Sequence, residues 1–243
     1  MAWLLLNRAA KLNALDHETL VAVEHRFTTW EAGGRISVVV IGSTDTRAFC
    51  VGADLEVLAR LNAATMQGWE LLGHRVLDRI QRSPLLSIAA VRGHALGGGL
   101  TLATACDFRL AAESATFAQP EIDFGWIPGW GGVARLSRLI GPVRAKELCA
   151  TGRRINAGMA QTLGLVHEVV PDANFEARVH EFATQLGLRS SEALRAIKFL
   201  ADSQQPTTAP TEAQFDALLN AKLLQDRRAQ SALAAFLSRK PRS

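Results

Sequence analysis

The chain has 243 residues, of which 48% are apolar and 21% are charged. This balance is ordinary for a globular protein and excludes disorder over the bulk of the chain. Its 27 Lys and Arg residues against 23 Asp and Glu residues give a formal net charge of +4 at pH 7. That excess is too small and too dispersed for a nucleic-acid-binding face, although it suits an anionic small molecule.

The cysteines and the apolar runs predict the compartment. Cys50, Cys106 and Cys149 lie far apart and match no metal-ligand spacing, so they are expected to be reduced thiols of a cytoplasmic protein. Apolar runs such as 36–41 are too short to cross a bilayer. The first residues have neither the basic segment nor the cleavage site of a signal peptide, so no membrane association is expected.

Strands and helices alternate along the first part of the chain. A short apolar run at 3–6 predicts a strand, and Asp16 is a candidate N-cap for a helix that ends at Gly33-Gly34. The β-branched run 36–41 is typical of a strand buried on both faces. Apolar residues at helical spacing then predict a helix that Ser83-Pro84 ends.

The alternation continues with a strand at 87–91, a helix at 97–105 and a strand at 108–111. This rhythm predicts an α/β fold with parallel strands. After Pro171 the pattern becomes all-α: a helix carries Phe175, Val179, Phe182 and Leu186, and helices at about 190–202 and 211–238 flank a linker at 204–210.

Three consecutive glycines stand between a predicted strand and a helix, in the segment Arg92–Thr101. Gly97, Gly98 and Gly99 leave backbone N–H groups bare at the helix start and allow a ligand close to the main chain. Such a site suits a phosphate or a developing oxyanion. The Lys-Ser/Thr of a P-loop and the Gly-x-Gly-x-x-Gly spacing are both missing. Close helix–strand packing explains the glycines equally well.

Two further segments carry candidate chemistry. Phe49–Leu55 reads as a second strand-to-helix turn, in which the N–H of Ala53 is a possible second donor and Asp54 a cap or orienting group. Phe117–Gly132 is rich in Gly, Pro and Trp and predicts a loop. Within it Glu121 has apolar neighbours, and burial there would raise its pKa to a value useful for proton transfer. The alternative is a solvated loop charge.

Taken together, these segments resemble the crotonase, or enoyl-CoA hydratase/isomerase, superfamily. The opening Leu-Asn-Arg-Ala-Ala-Lys-Leu-Asn-Ala-Leu at 6–15 is similar to that family's LNRPxxLNAL signature. Segments 48–55, 93–99 and 117–132 are similar to its AFxAGAD, NGxALGGG and FGxPExxxGxxPGxGG motifs, and further matches lie at 151–153, 164–166 and 235–237. The resemblance therefore covers nearly the whole chain.

The resemblance implies a spiral of ββα units over residues 1–185 and a C-terminal helical region over 186–243, used for trimerisation and for covering CoA. It also implies homotrimers, often paired into hexamers. The implied substrate is an acyl-CoA thioester, so CoA is part of the substrate and no separate cofactor is expected.

The family's chemistry implies particular roles for residues of this sequence. The thioester oxygen would lie between the N–H groups of Ala53 and Gly98, where an enolate is stabilised, and Glu121 would act as acid and base. Lys11 falls where the family holds the adenine end of CoA, and Arg239 falls near a basic position that meets CoA from a neighbouring subunit. Trp126 and Trp130 either form walls of the acyl pocket or pack in the core. The candidate catalytic residues are Glu121, Ala53, Gly98 and Thr101, and the candidate substrate contacts are Lys11, Asp54, Gly97, Trp126, Trp130 and Arg239; no metal site is expected.

Thr101 departs from the family pattern. The family's hydratases carry a second glutamate at this place, whereas a threonine hydroxyl cannot act as a base near neutral pH. We therefore expect a hydratase/isomerase-type enzyme with a single catalytic glutamate, in which a carboxylate introduced at 101 would raise hydration. The alternatives are a single-glutamate lyase or decarboxylase and a non-catalytic acyl-CoA-binding homologue. If a second carboxylate holds the water, Asp123 is the first candidate.

Overall fold

The computed structural model describes residues 1–203 and 210–238, and it contains strands, α-helices and short 3-10 helices. The strands are β1 (Ala2–Leu6), β2 (Val38–Ser43), β3 (Ala48–Cys50), β4 (Leu86–Val91), β5 (His94–Leu96), β6 (Phe108–Ala112), β7 (Thr116–Ala118), β8 (Ile155–Asn156) and β9 (Glu168–Val170). The 3-10 helices span Ala9–Lys11, Pro120–Phe124 and Asp172–Asn174.

The α-helices surround these strands and make up the C-terminal part of the chain. They are α1 (His17–Gly33), α2 (Leu55–Leu58), α3 (Ala63–Arg82), α4 (Gly98–Ala105), α5 (Gly132–Ile140), α6 (Pro142–Thr151), α7 (Ala157–Thr162), α8 (Phe175–Gly187), α9 (Ser191–Ser203), α10 (Pro210–Leu223) and α11 (Arg227–Leu237).

The strands form two sheets, and from β2 to β7 consecutive strands belong to different sheets. The first sheet has the order β1-β2-β4-β6-β9 and is parallel throughout, and the second has the order β3-β5-β7-β8. Each of the pairs β2–β3, β4–β5 and β6–β7 gives one strand to the first sheet and the next to the second, and helices follow each pair. This repetition confirms the expected α/β fold built from ββα units.

Strand β2 shows why the sequence predicts four of the five strands of the first sheet, all but β9. Val39 and Ile41 belong to the larger apolar core, whereas Val38 and Val40 belong to a second core that α8 covers with Phe175. Both faces of the strand are therefore buried, as its unbroken β-branched run predicts. The strand begins two residues later than expected, at Val38, where pairing with Leu86 of β4 begins.

Short strands and one helix break differ from the sequence expectation. β5 and β7 have three residues each, too few for a recognisable period, and β7 lies in the segment expected to be a loop. β8 pairs antiparallel with β7, although parallel strands were expected. The helix expected over 211–238 is two helices, because the Asp226 side chain accepts a hydrogen bond from the Arg228 N–H and starts α11. Of the expected linker, residues 204–209 lie outside the described residues.

The C-terminal helices fold back over the spiral and reach the region of the glycine-rich turn. α10 packs along α3, and α11 packs against α2 and against the 3-10 helix Pro120–Phe124. All three cysteines are free thiols. Over the described ranges, no helix combines the length and the apolar character needed to cross a membrane, and no cluster of side chains has the composition of a metal site.

Candidate active site

One cavity brings together the three segments that the sequence analysis singled out. It encloses about 660 Å³ including its open mouth, within the usual range for small-molecule sites. Gly52-Ala53, Gly97-Gly98 and Glu121 all line it. Its remaining walls are mostly apolar and include Leu55, Leu58, Met66, Trp69, Phe124, Trp126, Ile127 and Trp130.

Two backbone N–H groups are free at the edge of this cavity. Ala53 follows Gly52, whose carbonyl oxygen binds the Leu15 N–H at 2.7 Å, and Gly98 is the first residue of α4. Among the described residues, neither Ala53 N–H nor Gly98 N–H has an acceptor. The two turns touch, since a Cβ on Gly52 would lie 2.9 Å from the Gly98 nitrogen. Two adjacent free donors, one at a helix N-terminus, suit a carbonyl oxygen that gains negative charge.

The three consecutive glycines serve both of the purposes considered from the sequence. A Cβ on Gly99 would lie 2.1 Å from the Cys50 carbonyl oxygen, so Gly99 allows α4 to pack on β3. A Cβ on Gly97 would lie 2.8 Å from Oε1 of Glu121, so this glycine makes room for the carboxyl group. At Gly98 a Cβ would lie 2.5 Å from Trp130 Cζ3, at the wall of the cavity.

Glu121 lies in the 3-10 helix that follows β7, with its carboxyl group beside Gly97. Removal from water raises the pKa of this carboxyl group to about 7. Near neutral pH the group is therefore present both as carboxylate and as carboxylic acid, so it can take up and release a proton. Asp123 is exposed and does not line the cavity.

The buried side-chain amide of Gln119 contacts the carboxyl group of Glu121. We assign the Gln119 amide so that its nitrogen donates to both Glu121 carboxyl oxygens, at 3.3 and 3.2 Å, and to the Gly97 carbonyl oxygen at 3.2 Å. Thr101 Oγ1 lies 3.3 Å from this amide and 3.3 Å from the Gly97 carbonyl oxygen. Thr101 is fully buried and is not part of the cavity lining.

The position of Thr101 changes the expected result of the Thr101→Glu substitution. The threonine is packed against Gly132, whose Cβ would lie 2.8 Å from Oγ1. A glutamate there would bury an unpaired charge and overfill the space, so we expect a loss of unfolding free energy on the order of 3 kcal/mol or more. Urea unfolding measures the free energy of unfolding, and an assay of crotonyl-CoA hydration measures the activity. The isosteric Thr101→Val is the control. A Thr101→Glu protein of wild-type stability that hydrates faster would contradict this placement.

Trp126 and Trp130 both line the cavity and are nearly buried. Trp130 packs against Trp69 with ring centroids 5.4 Å apart, and Trp126 stacks on Phe124 at 5.9 Å. The indole of Trp130 fills the space between α3 and α4, since a Cβ on Gly73 or Gly98 would collide with it. The two readings considered from the sequence, pocket wall and core packing, thus both apply.

The other candidate contacts lie away from the cavity lining. Asp54 caps α2 through the Glu56 N–H at 3.1 Å and forms an ion pair with Arg8 at 3.1 Å. The exposed Lys11 pairs with Glu56. Arg239 lies outside the described residues.

The sequence analysis missed Glu70 of α3, which lines the same cavity and is buried. Its carboxyl group accepts hydrogen bonds from the backbone N–H of Trp130 at 3.2 Å and from the Asn220 side-chain amide at 3.0 Å. Burial raises the pKa of Glu70 to about 8, and the charges of Asp216 and Glu121 add to the rise. Glu70 falls in the apolar stripe of Trp69 and Leu72, and a charged residue within such a stripe is the signal that could have identified it from the sequence.

Comparison with known proteins decides the family. Residues 1–242 match the family described as Enoyl-CoA hydratase/isomerase. The chain belongs to this family. The crotonyl-CoA hydratase of Syntrophomonas wolfei is 36% identical over 207 residues, which are 85% of this chain and 80% of that protein. The short-chain-enoyl-CoA hydratase of Clostridium acetobutylicum is 30% identical, over 97% of this chain and 90% of that protein.

Solved structures of the enoyl-CoA hydratase/isomerase family share the fold. The enoyl-CoA hydratase of Bacillus anthracis superposes with a TM-score of 0.80 at 34% identity, over 97% of this chain and 91% of that chain. One from Mycobacterium avium subsp. paratuberculosis has a TM-score of 0.88 at 25% identity, over 96% and 93%. The resemblance to the crotonase superfamily is thereby confirmed, and the chain is an enzyme of the hydratase/isomerase type.

Proposed function

We propose that this enzyme acts on enoyl-CoA thioesters through an enolate whose oxygen is held by the N–H groups of Ala53 and Gly98. One observation carries the proposal: a single, mostly apolar cavity is lined by two free N–H donors and by the Glu121 carboxyl group, which can take up and release a proton. Donors aimed at a developing oxyanion lower the barrier to removing a proton next to the thioester carbonyl. Glu121 would carry that proton. No other cofactor is required, since CoA is part of the substrate.

The relatives support an enoyl thioester with a short acyl chain as the substrate. One is named for crotonyl-CoA and another for short-chain enoyl-CoA. Isomerisation of the double bond remains a second candidate, because it needs one carboxyl group and no water. Position 101 favours it, since a threonine outside the cavity lining supplies no carboxylate to hold the water.

Offering crotonyl-CoA and a 3-enoyl-CoA to the purified enzyme tests the proposal. We expect mass spectrometry and chromatography to show conversion of at least one of them, to the 3-hydroxyacyl or the 2-enoyl product. A folded protein that binds acyl-CoA and converts neither would be a lyase, a decarboxylase or a non-catalytic binding homologue. That outcome would overturn the proposal.

We also propose that the enzyme is a cytoplasmic homotrimer or a dimer of trimers. The C-terminal helices carry large exposed apolar side chains, including Ile197 and Phe199 on α9 and Phe215 and Leu218 on α10. Exposed apolar side chains of this size on two successive helices favour burial against another copy. Light scattering after size-exclusion chromatography gives the mass that tests this.

A further inference from the structure

The cavity holds a second carboxyl group, that of Glu70, which has no part in the chemistry proposed for Glu121. Glu70 and Glu121 come from different elements, α3 and the 3-10 helix after β7, and both line the cavity. No Lys, Arg or His is among the lining residues of the described chain, so neither carboxyl group has a cationic partner there. Burying carboxyl groups without such a partner is costly.

The partners of Glu70 fix its position without neutralising it. Its oxygens accept hydrogen bonds from the backbone N–H of Trp130 and from the Asn220 side-chain amide. Both donors are uncharged and neither belongs to α3. A Cβ on Gly129 would lie 2.5 Å from one carboxyl oxygen, so the glycine lets the loop approach closely. Trp130 in turn packs on Gly98, so the carboxyl group is held beside the wall that carries one oxyanion donor.

We propose that Glu70 is a second catalytic residue of this site, which takes the proton of the attacking water while Glu121 delivers a proton to the substrate. This inference rests on the proposed function. Hydration needs two proton transfers, one from water and one to C2, and a single carboxyl group holds only one proton at a time. Two carboxyl groups on one cavity meet that need, although Thr101 supplies none.

In the hydration of a 2-enoyl thioester, the water oxygen bonds to C3 while one of its protons passes to the Glu70 carboxylate. The electron pair of the C2–C3 double bond moves at the same time onto the thioester oxygen. The enolate, held by the Ala53 and Gly98 N–H groups, then returns that pair to C2, which bonds the proton of the Glu121 carboxylic acid. Transfer of a proton from Glu70 to Glu121 restores the starting state. The Glu70 carboxylate is the stronger base of the two, because its pKa of about 8 lies above the value of about 7 for Glu121. The step therefore starts from the less populated arrangement of the pair near neutral pH, with Glu70 ionised and Glu121 protonated.

Glu70→Gln separates this role from a structural one. Gln has the shape of Glu and can still accept from the Trp130 N–H, but it cannot take up a proton. We expect hydration of crotonyl-CoA to fall by roughly 10²–10⁴, whereas exchange of the C2 protons of butyryl-CoA with solvent deuterium, which needs only Glu121, changes by less than about threefold. Thermal unfolding shows whether the variant is folded.

Asp216→Asn is the matched control. Asp216 binds the Gly131 N–H at 3.1 Å and His74 at 3.2 Å, so it supports the same loop from outside the cavity lining. Burial contributes more than the Asp216 charge to the raised pKa of Glu70, so we expect this substitution to change the ratio of hydration to exchange by less than about threefold. A Glu70→Gln enzyme that hydrates at the wild-type rate, or loses hydration and exchange equally, would overturn the proposal. Wild-type enzyme with neither activity would instead overturn the proposed function.

Discussion

Replacing Glu121 by Gln is expected to lower turnover of an enoyl-CoA substrate by roughly 10²–10⁴ and to leave binding of the CoA thioester nearly unchanged. Gln keeps the size of the side chain and can keep its contact with Gln119, but it neither accepts nor releases a proton. The raised pKa of about 7 shows why this carboxyl group suits the task, because burial allows both protonation states near neutral pH. Steady-state kinetics and acyl-CoA titration measure the two effects.

Asp123→Asn is the control for this experiment. Asp123 stands two residues further along the same 3-10 helix but is exposed and away from the cavity. Its substitution should leave kcat and KM within about twofold of wild type. Near-normal turnover by Glu121→Gln, or an equal loss in Asp123→Asn, would remove Glu121 from the mechanism.

Replacing Gly98 by Pro is expected to lower kcat by on the order of 10² or more, because proline has no N–H to donate to the enolate oxygen. Gly98 is the first residue of α4, a position where proline fits the helix backbone. The new Cβ would nevertheless press on Trp130, which lies 2.5 Å away. Loss of activity could thus have a steric cause as well as the loss of the donor.

Gly98→Ala separates the two causes. It introduces the same Cβ and keeps the N–H, so the loss that proline shows beyond alanine measures the donor. Circular dichroism and thermal unfolding establish that both variants are folded. Equal activity in the proline and alanine variants would contradict the role of the Gly98 N–H.

The sequence predicts four of the five strands of the first sheet, all but β9, and the position of the site, for identifiable reasons. The run at 36–41 has β-branched side chains on both faces, and Asp16 caps α1 by accepting from the Thr19 N–H at 2.8 Å. The glycine run and the Pro-Glu segment are local patterns, and the strand order brings them to one cavity.

Features that depend on distant contacts could not be predicted in the same way. β5 and β7 are strands because they pair with each other, not because three residues have a period. Glu70 becomes a site residue only when α10 brings Asn220 against α3, 150 residues away along the chain. Thr101 is adjacent to the glycine run in sequence, but packing against Gly132 and Gln119 buries it behind the cavity.

The most direct test is whether Glu121 and the two backbone donors convert a bound thioester to its enolate. NMR in deuterated buffer measures this as exchange of the C2 protons of butyryl-CoA. Butyryl-CoA has no double bond to hydrate, so the signal reports enolate formation alone. We expect exchange by the wild-type enzyme, faster as the pH rises through about 7 because the Glu121 carboxylate is the base, and almost none by Glu121→Gln. No exchange by folded, acyl-CoA-binding wild-type enzyme, or equal exchange by both proteins, would contradict this expectation.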